Sequence, residues 1–173
     1  ITDMDQRAKC LITTKVNKGK KCIIEILNKL LVKDLTANIT EYTKNVLIVY
    51  SNLEPMIIYG LLISSPPSCA EKIYPFHLIT ASNEEEIISN VINFVKNRFP
   101  NIKKLYARCY NRGSKVNCKE VEIGIGIGLK DVIKIDFKNP EIIVYINSLE
   151  NISGISFLKK GQEKFQPRLS NKI

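Results

Sequence analysis

The chain has 173 residues, 45% hydrophobic and 25% charged, a composition that supports one ordinary folded domain or two small ones and argues against disorder. Its longest apolar run, Pro55–Ser64, contains Gly60 and is shorter than the roughly 18 residues that a membrane span needs, so no membrane protein is expected. The net charge of +9 is uneven, because residues 1–100 carry 12 basic and 10 acidic groups whereas residues 101–173 carry 14 and 7. This asymmetry favours a polyanion-binding surface in the second half, with a solvated lysine-rich surface as the plainer alternative.

The first half of the chain predicts the element order β-α-β-β-α-β. Segments rich in β-forming residues lie at 9–16, 36–43, 46–51 and 71–80, and segments with helical spacing of apolar residues lie at 20–34 and 54–65. Pro75 within the last strand is typical of an edge or a bulge. The order is that of the split βαβ, ferredoxin-like arrangement, a four-stranded sheet with two helices on one face. We therefore assign residues 1–81 to a ferredoxin-like domain.

A second domain is predicted over residues 82–162. Ser82 and Glu85 have the spacing of a capping box at the start of a helix that Pro100 ends. Strands are predicted at 103–113, 131–137, 141–148 and 152–160. The Asn139-Pro140 dipeptide predicts a turn whose backbone is bonded by Asp136. Residues 163–173 are interpreted as a basic C-terminal tail.

Residues 121–130, VEIGIGIGLK, alternate glycine with isoleucine. The G-x-G-x-G spacing and the Asp131 that follows Lys130 differ from the dinucleotide fingerprint and from the P-loop, which argues against a phosphate-binding loop. Alternation favours a strand, although glycines weaken a strand interior. Asn117 and Glu120 at capping positions favour a helix, on which Gly124 and Gly128 would share one face and allow a sheet or a phosphate backbone to approach closely. The residues alone leave strand and helix open.

The five cysteines and the single histidine predict neither a metal site nor a cofactor. The cysteines contain no C-x-x-C pair, and a zinc site needs paired ligands at short spacing. The N-terminal segment has no signal-peptide core, so we expect a soluble, cytoplasmic protein. An odd number of cysteines in such a protein favours buried free thiols, and a disulfide stays open if the source is a hyperthermophile.

Four segments of the second half resemble the THUMP domain, an RNA-binding module of tRNA-modifying enzymes. They are ARCYNRGSK at 107–115, KEVEIGIGIGLK at 119–130, IDFKNPEIIVYI at 135–146 and ISGISFLKKG at 152–161. The most specific is the D-x-x-N-P-E sequence of Asp136–Glu141, followed by β-branched strand residues. The resemblance implies a helix over 117–129 and a preceding ferredoxin-like domain. The expected fold class is therefore α+β, with an N-terminal ferredoxin-like βαββαβ domain followed by a THUMP-type α/β domain.

The same resemblance implies a function. Thiouridine synthetases, THUMP methyltransferases and THUMP deaminases carry a separate catalytic domain, whose motifs this sequence does not show. The chain most resembles the stand-alone THUMP adaptors of archaeal type that assist a tRNA cytidine acetyltransferase in making N4-acetylcytidine in the D-arm. What the resemblance implies is thus a non-catalytic adaptor that recognises the acceptor end and overall shape of tRNA, has tRNA and an acetyltransferase as partners, and uses no cofactor and no membrane.

Seven basic residues are candidates for RNA contact. Arg112 matches the Arg-Gly position of the family, and Arg108 shares a strand face with Tyr106 and Tyr110, where bases can stack. Contacts within the protein, such as capped carbonyls or ion pairs, are the alternative. Lysines near the predicted helix N-terminus favour a phosphate, with a solvated surface as the alternative. The full set is Arg108, Arg112, Lys115, Lys119, Lys138, Lys159 and Lys160.

Two other functions stay open. One is an RNA-binding fragment or accessory subunit of another tRNA-modifying enzyme, for thiolation or methylation. The other is a small enzyme with a site around His77 or around Cys109 and Cys118. His77 alternates with Ile79 on a predicted strand and is interpreted as a structural histidine, and no nucleophile–base pair is evident.

Overall fold

The computed structural model describes residues 1–165 and divides into two compact units. The first unit comprises Thr2–His77 with Gly161–Phe165, and the second unit comprises Leu78–Lys160. The division thus falls after residue 77 and not after residue 81, because residues 78–81 pair with the last strand of the second unit. No helix among the described residues is long and apolar enough to cross a membrane.

The first unit has one antiparallel sheet and three helices. Its elements are α1 (Asp3–Gln6), β1 (Ala8–Thr14), α2 (Gly19–Leu30), β2 (Asn38–Thr43), β3 (Val46–Tyr50), α3 (Pro55–Ser64) and β4 (Ala70–Pro75). The strand order is β2-β3-β1-β4, and every pair is antiparallel. In α2 the residues Cys22, Ile26 and Leu30 recur every fourth position and are buried, which is why this segment forms an amphipathic helix against the sheet.

Gly161–Phe165 belong to the first unit and do not form a free tail. The Ile73 N–H donates to the Glu163 carbonyl at 2.8 Å, and the Phe165 N–H donates to the Glu71 carbonyl at 3.1 Å. The Phe165 ring is buried in the core of this unit. The predicted tail therefore differs from the structure over residues 163–165, and its residues 166–173 lie outside the described residues.

The second unit has a five-stranded mixed sheet. Its elements are β5 (Leu78–Ala81), α4 (Glu84–Arg98), β6 (Lys104–Asn111), α5 (Cys118–Leu129), β7 (Lys134–Ile135), β8 (Ile142–Ser148) and β9 (Ile152–Leu158). The strand order is β5-β9-β8-β6-β7, in which β6 runs parallel to both of its neighbours and the other pairs are antiparallel. The core lies between the sheet and the helices α4 and α5, and includes Leu105, Val144, Phe157, Val91 and Ile125.

The glycine-rich segment is the helix α5. Asn117 caps it by accepting a hydrogen bond from the Glu120 N–H at 3.1 Å, as the capping positions predicted. A Cβ atom at Gly124 would contact Ile88 of α4, and one at Gly128 would contact Ile92 of α4. The close approach that these glycines allow is thus that of a neighbouring helix, and not that of a sheet or a phosphate backbone.

Three predicted elements differ from the structure. The single strand expected at 71–80 is two strands, β4 and β5, which end and begin around Phe76-His77 and join different sheets. The strand expected at 131–137 is reduced to the two residues of β7. The N-cap of α4 is Asn83, which accepts from the Glu86 N–H, while the Ser82 hydroxyl donates to the Leu149 carbonyl at 2.6 Å. Because β4 and β5 are separate strands, His77 lies in the bend between them and not on a strand.

The prediction of free thiols is wrong for four of the five cysteines. Cys22 of α2 is joined to Cys69, and Cys109 of β6 is joined to Cys118 of α5, with Cα atoms 5.6 and 5.2 Å apart respectively. Only Cys10 is free, and it is buried. An enzyme site that uses Cys109 or Cys118 as a thiol is inconsistent with this pairing.

Candidate nucleic-acid interface

Strand β6 presents tyrosine and arginine on the sheet face opposite to the helices. Side chains alternate along a strand, and Leu105 and Cys109 point towards the helices, where Leu105 is in the core and Cys109 is bonded to α5. Tyr106, Arg108 and Tyr110 therefore point to the opposite face. The sequence predicted this shared face from residue spacing.

Two arginines converge on one tyrosine ring at the end of β6. The Cζ atoms of Arg108 and Arg112 lie 5.5 and 5.1 Å from the centre of the Tyr110 ring, within the range of cation–π contact. The Tyr110 ring is parallel to that of Tyr145 on β8, with the centroids 6.4 Å apart. We call Arg108, Tyr110, Arg112 and Tyr145 the arginine–tyrosine cluster.

Neighbouring groups fix the cluster. The Arg112 Nε donates to the Asn147 Oδ1 at 3.0 Å, and the Arg112 backbone N–H donates to the Ser148 carbonyl at 2.7 Å. The buried Nδ2 of Asn147 has no hydrogen-bond partner among the described residues, so the polar groups beneath the cluster are incompletely satisfied. Tyr110 is the main cause of a raised pKa of Arg108, and burial acts in the opposite direction. Both guanidinium groups stay cationic at every physiological pH.

The loop after β6 is ordered by one asparagine. The Asn111 Oδ1 accepts from the backbone N–H groups of Gly113 and Ser114 at 2.9 and 2.8 Å, and its Nδ2 donates to the carbonyl of Val116 at 3.1 Å. Gly113 has φ 106°, a conformation that favours glycine and explains the glycine of the Arg-Gly pair. This loop holds Lys115, which is exposed and follows Arg112 by three residues.

The N-terminus of α5 already binds one carboxylate, that of Glu84. The Asn117 N–H donates to the Glu84 Oε2 at 2.8 Å, and this hydrogen bond is the main cause of a lowered pKa of Glu84. The Glu120 N–H is taken by the Asn117 side chain. Lys119 lines a groove beside Tyr106 and not the cluster. Two of the N–H groups at the predicted phosphate site, those of Asn117 and Glu120, are thus engaged within the chain.

The remaining three lysines lie at the other end of the strands. Arg112 follows Asn111, which pairs with Ser148 at the end of β8, whereas Lys138 precedes the start of β8. The Lys160 Nζ lies 3.4 Å from the Lys138 carbonyl, and the Asp136 carboxylate accepts from the Lys138 and Asn139 N–H groups, as expected for the Asn-Pro turn. Lys159 and Lys160 are exposed just after β9. The structure thus places Arg108, Arg112 and Lys115 at one end of the strands, Lys119 beside the groove, and the other three lysines at the opposite end.

The spacing of residues in the sequence does not indicate that Tyr145 and Asn147 belong to the site. Tyr145 pairs with Arg108 and Asn147 pairs with Tyr110 in the register of β8 against β6. That register depends on two segments far apart in the chain, so the sequence carried no local signal for it.

The architecture that positions these residues is a mixed α/β fold with two sheets. No family model matches the chain, and no curated protein matches its sequence.

Solved structures with a similar fold are known. PH1313 from Pyrococcus horikoshii Ot3 matches with a TM-score of 0.64 and 14% identity, over 88% of this chain and 54% of its own. TrmN from Thermus thermophilus matches with a TM-score of 0.62 and 14% identity, over 92% and 47%. A 4-thiouridine synthetase, crystallised as an RNA complex with bound ATP, matches with a TM-score of 0.54 and 9% identity, over 88% and 42%. At such identities the likeness shows the fold alone, and this chain spans about half the length of these proteins.

Proposed function

We propose that this chain binds tRNA and acts in tRNA modification, with Leu78–Lys160 as a THUMP-type RNA-binding domain. The arginine–tyrosine cluster is the observation that carries the proposal, because it places two cations and aromatic rings on one sheet face. Guanidinium groups bind phosphates in a forked geometry, and both they and tyrosine rings stack on unpaired bases. The fold likeness to a synthetase crystallised with RNA, together with the sequence motifs of residues 107–161, supports the same function.

The cluster would recognise a single-stranded end of tRNA. A base can stack beside Tyr110, which is parallel to a second ring, while the two arginines contact the adjacent phosphates. Lys115 extends the positive surface along the loop, and Lys138, Lys159 and Lys160 would contact a more distant part of the backbone. Affinity would come mainly from phosphates and would fall steeply with salt.

We further propose that the chain is a non-catalytic adaptor in the cytoplasm, which presents tRNA to an acetyltransferase for N4-acetylcytidine formation in the D-arm. The sequence resemblance to stand-alone THUMP adaptors supports this finer proposal. We also propose that the first unit is a ferredoxin-like domain, supported by its antiparallel strand order β2-β3-β1-β4 and by the helices α2 and α3 between its strands. Turnover of tRNA by the chain alone would contradict the adaptor role.

The second candidate function is the RNA-binding part of a larger modifying enzyme, for thiolation or methylation. The partial coverage of TrmN and of the 4-thiouridine synthetase, 47% and 42% of their lengths, favours it. Both candidates require the same tRNA-binding surface.

The test is the affinity of the full chain for a tRNA transcript, measured by fluorescence anisotropy at several NaCl concentrations. Replacing Arg108 and Arg112 together by alanine removes two cations and a stacking surface, so we expect the affinity to fall by about tenfold or more and the salt dependence to become shallower. Arg98→Ala is the matched control, because Arg98 is exposed on α4 and contacts Phe94. It should leave the affinity within about twofold.

A tRNA that lacks its 3′-terminal nucleotides should bind the wild-type chain more weakly than the complete tRNA does. Wild type and the double variant should have the same affinity for this shortened tRNA. The proposal is rejected if tRNA binding is absent or insensitive to salt, or if Arg98→Ala weakens it as much as the double substitution does.

A further inference from the structure

Strand β6 has an open edge in the second unit. β7 pairs with it only at Lys104 and Leu105, so from Tyr106 to Asn111 the edge away from β8 carries no strand among the described residues. An edge of this kind presents backbone donors and acceptors that another strand can use.

The hydrogen bonds at the start of β6 show which residues face the open edge. The Lys104 carbonyl accepts from the Glu141 N–H on the β8 side, and the Leu105 carbonyl accepts from the Asp136 N–H on the opposite side. Because alternate residues of a strand direct their backbone groups to opposite sides, Ala107 and Cys109 also direct theirs to the open edge. The Ala107 N–H and carbonyl therefore have no strand partner in the described part of the chain.

A side chain from α5 covers one position of this edge. The Glu122 Oε2 accepts a hydrogen bond from the Cys109 N–H at 2.8 Å. A strand that reached Cys109 would have to displace this carboxylate. A charged side chain on an edge is a common protection against uncontrolled pairing.

An apolar groove of about 300 Å³ runs beside the open edge. It is lined by Tyr106 and Ala107 of β6, by Lys119, Ile123 and Gly126 of α5, and by Phe137 after β7. The exposed fractions of Ile123 and Phe137 are 53% and 71%, which is high for large apolar side chains. An exposed apolar surface next to an unpaired strand edge is typical of a protein-binding site.

The charges around the groove indicate the sign of the charge that a partner carries. Lys119 lines it, and Lys134 and Lys138 lie exposed on either side of Ile135 and Phe137. Glu122 is the acidic residue of the lining and is already engaged by the backbone of β6. An acidic partner is therefore favoured over a basic one.

We infer that this edge docks an extended segment of a partner protein, which adds a strand to β6 beyond the end of β7. Main-chain hydrogen bonds to Ala107 hold the segment, alternate apolar side chains contact Ile123 and Phe137, and flanking acidic residues meet the lysines. The open part of β6 is about 20 Å long and accepts about six residues. Nucleic acid lacks the amide backbone that this edge requires. The inference does not depend on RNA binding, because no residue of the arginine–tyrosine cluster lines the groove.

The test uses a display library of random nonapeptides selected on the full chain, followed by NMR titration of individual selected peptides. We expect selected peptides to alternate apolar and polar residues with aspartate or glutamate at the ends, and to slow hydrogen exchange of the Ala107 amide at least tenfold. Ile123→Asp should weaken their binding at least tenfold, and Phe137→Ser should weaken it severalfold. Both side chains are exposed, and the NMR spectrum reports directly whether each variant is folded.

Two further variants sharpen the test. Leu35→Asp makes the same kind of substitution at a residue that is 87% exposed in the first unit, so it should not change peptide affinity. Glu122→Ala frees the Cys109 N–H and removes a negative charge, so it should tighten binding severalfold. The inference is overturned if no peptide is enriched, if the selected peptides do not protect Ala107, or if Leu35→Asp weakens them equally. It is also overturned if tRNA perturbs the groove amides and Ile123→Asp abolishes that effect.

Discussion

Asp34 shows how a single carboxylate is held in the first unit. Its Oδ1 accepts from the Thr36 hydroxyl and N–H at 2.6 and 2.9 Å, and its Oδ2 accepts from the Ser51 hydroxyl and the Asn52 N–H at 2.7 and 2.8 Å. These hydrogen bonds, first among them that of the Thr36 side chain, hold the pKa of Asp34 far below its ordinary value.

A pH dependence follows from this lowered pKa. A group whose pKa is lower in the folded state stabilises the fold above its unfolded pKa, which is about 3.9 for aspartate, and loses that contribution as the pH falls below it. Asp34→Asn should therefore lower the free energy of unfolding at pH 7 and make its decline at acid pH shallower. Urea denaturation at a series of pH values measures both effects. Asp131→Asn, at an exposed position, is the matched control, and equal pH profiles for the two variants would contradict the assignment.

At the same scale, local spacing predicted some site residues and not others. Arg108 and Tyr110 were placed on one face because alternation within a strand is a local property. Tyr145 and Asn147 join them only through the pairing of β8 with β6. The two disulfides likewise join segments that no local sequence pattern identifies as neighbours. The roles of the seven basic residues in RNA binding stay predictions.

At the scale of elements, α5 shows why apolar alternation is ambiguous. Val121, Ile125 and Leu129 recur every fourth residue and are buried, whereas Ile123 and Ile127 are exposed. The buried and exposed apolar residues interleave, so that every second position of the segment is apolar. This spacing is that of a strand, although the buried residues alone have the spacing of a helix. The family resemblance correctly implied this helix, which the capping residues favoured, but no local pattern indicated that α4 is the neighbour of its glycines.

The three glycines of α5 should respond differently to alanine. A Cβ at Gly126 lies at an ordinary 3.6 Å from Ile135, so Gly126→Ala should raise the free energy of unfolding by about 0.5–1 kcal/mol through helix propensity. At Gly124 and Gly128 the new Cβ would collide with the Cδ1 atoms of Ile88 and Ile92, which offsets the gain in helix propensity, so these variants should be less stable than Gly126→Ala by about 1 kcal/mol. Chemical denaturation of the three single variants measures this order.

A double variant isolates the collision from other effects of the substitution. Ile88→Val removes the Cδ1 atom that the Gly124→Ala side chain would meet, so the two changes together should cost less than the sum of their separate costs. Simple additivity of the two free-energy changes would show that α4 and α5 do not pack through this glycine.

At the scale of the whole molecule, sequence reasoning predicted two units but misplaced their ends. Pro75 ends β4, and the bend at Phe76-His77 lies between two strands of different sheets. The return of Gly161–Phe165 to the first unit rests on contacts with β4, far back in the chain, which local patterns do not reveal. Disulfides are rare in the cytosolic proteins of mesophiles, whereas the intracellular proteins of hyperthermophiles are rich in them.

The disulfides make separate predictions for the two units. Cys22–Cys69 spans a sequence separation of 47 residues and Cys109–Cys118 one of 9, so chain entropy predicts stabilisation of about 4 and about 3 kcal/mol respectively. Replacing each pair by serine should lower the midpoint of thermal unfolding, more for the first pair. Calorimetry with and without a reducing agent measures the loss, and the reducing agent should have no further effect on a variant that lacks both pairs.

Thiol counting provides the independent check. Burial raises the pKa of the Cys10 thiol, so this residue should not react with a thiol reagent in the native protein. In denaturant without reductant one thiol should react, and after reduction all five cysteines should react. If five thiols react in denaturant before any reduction, the cysteines are not paired, and neither unit is then stabilised by a disulfide.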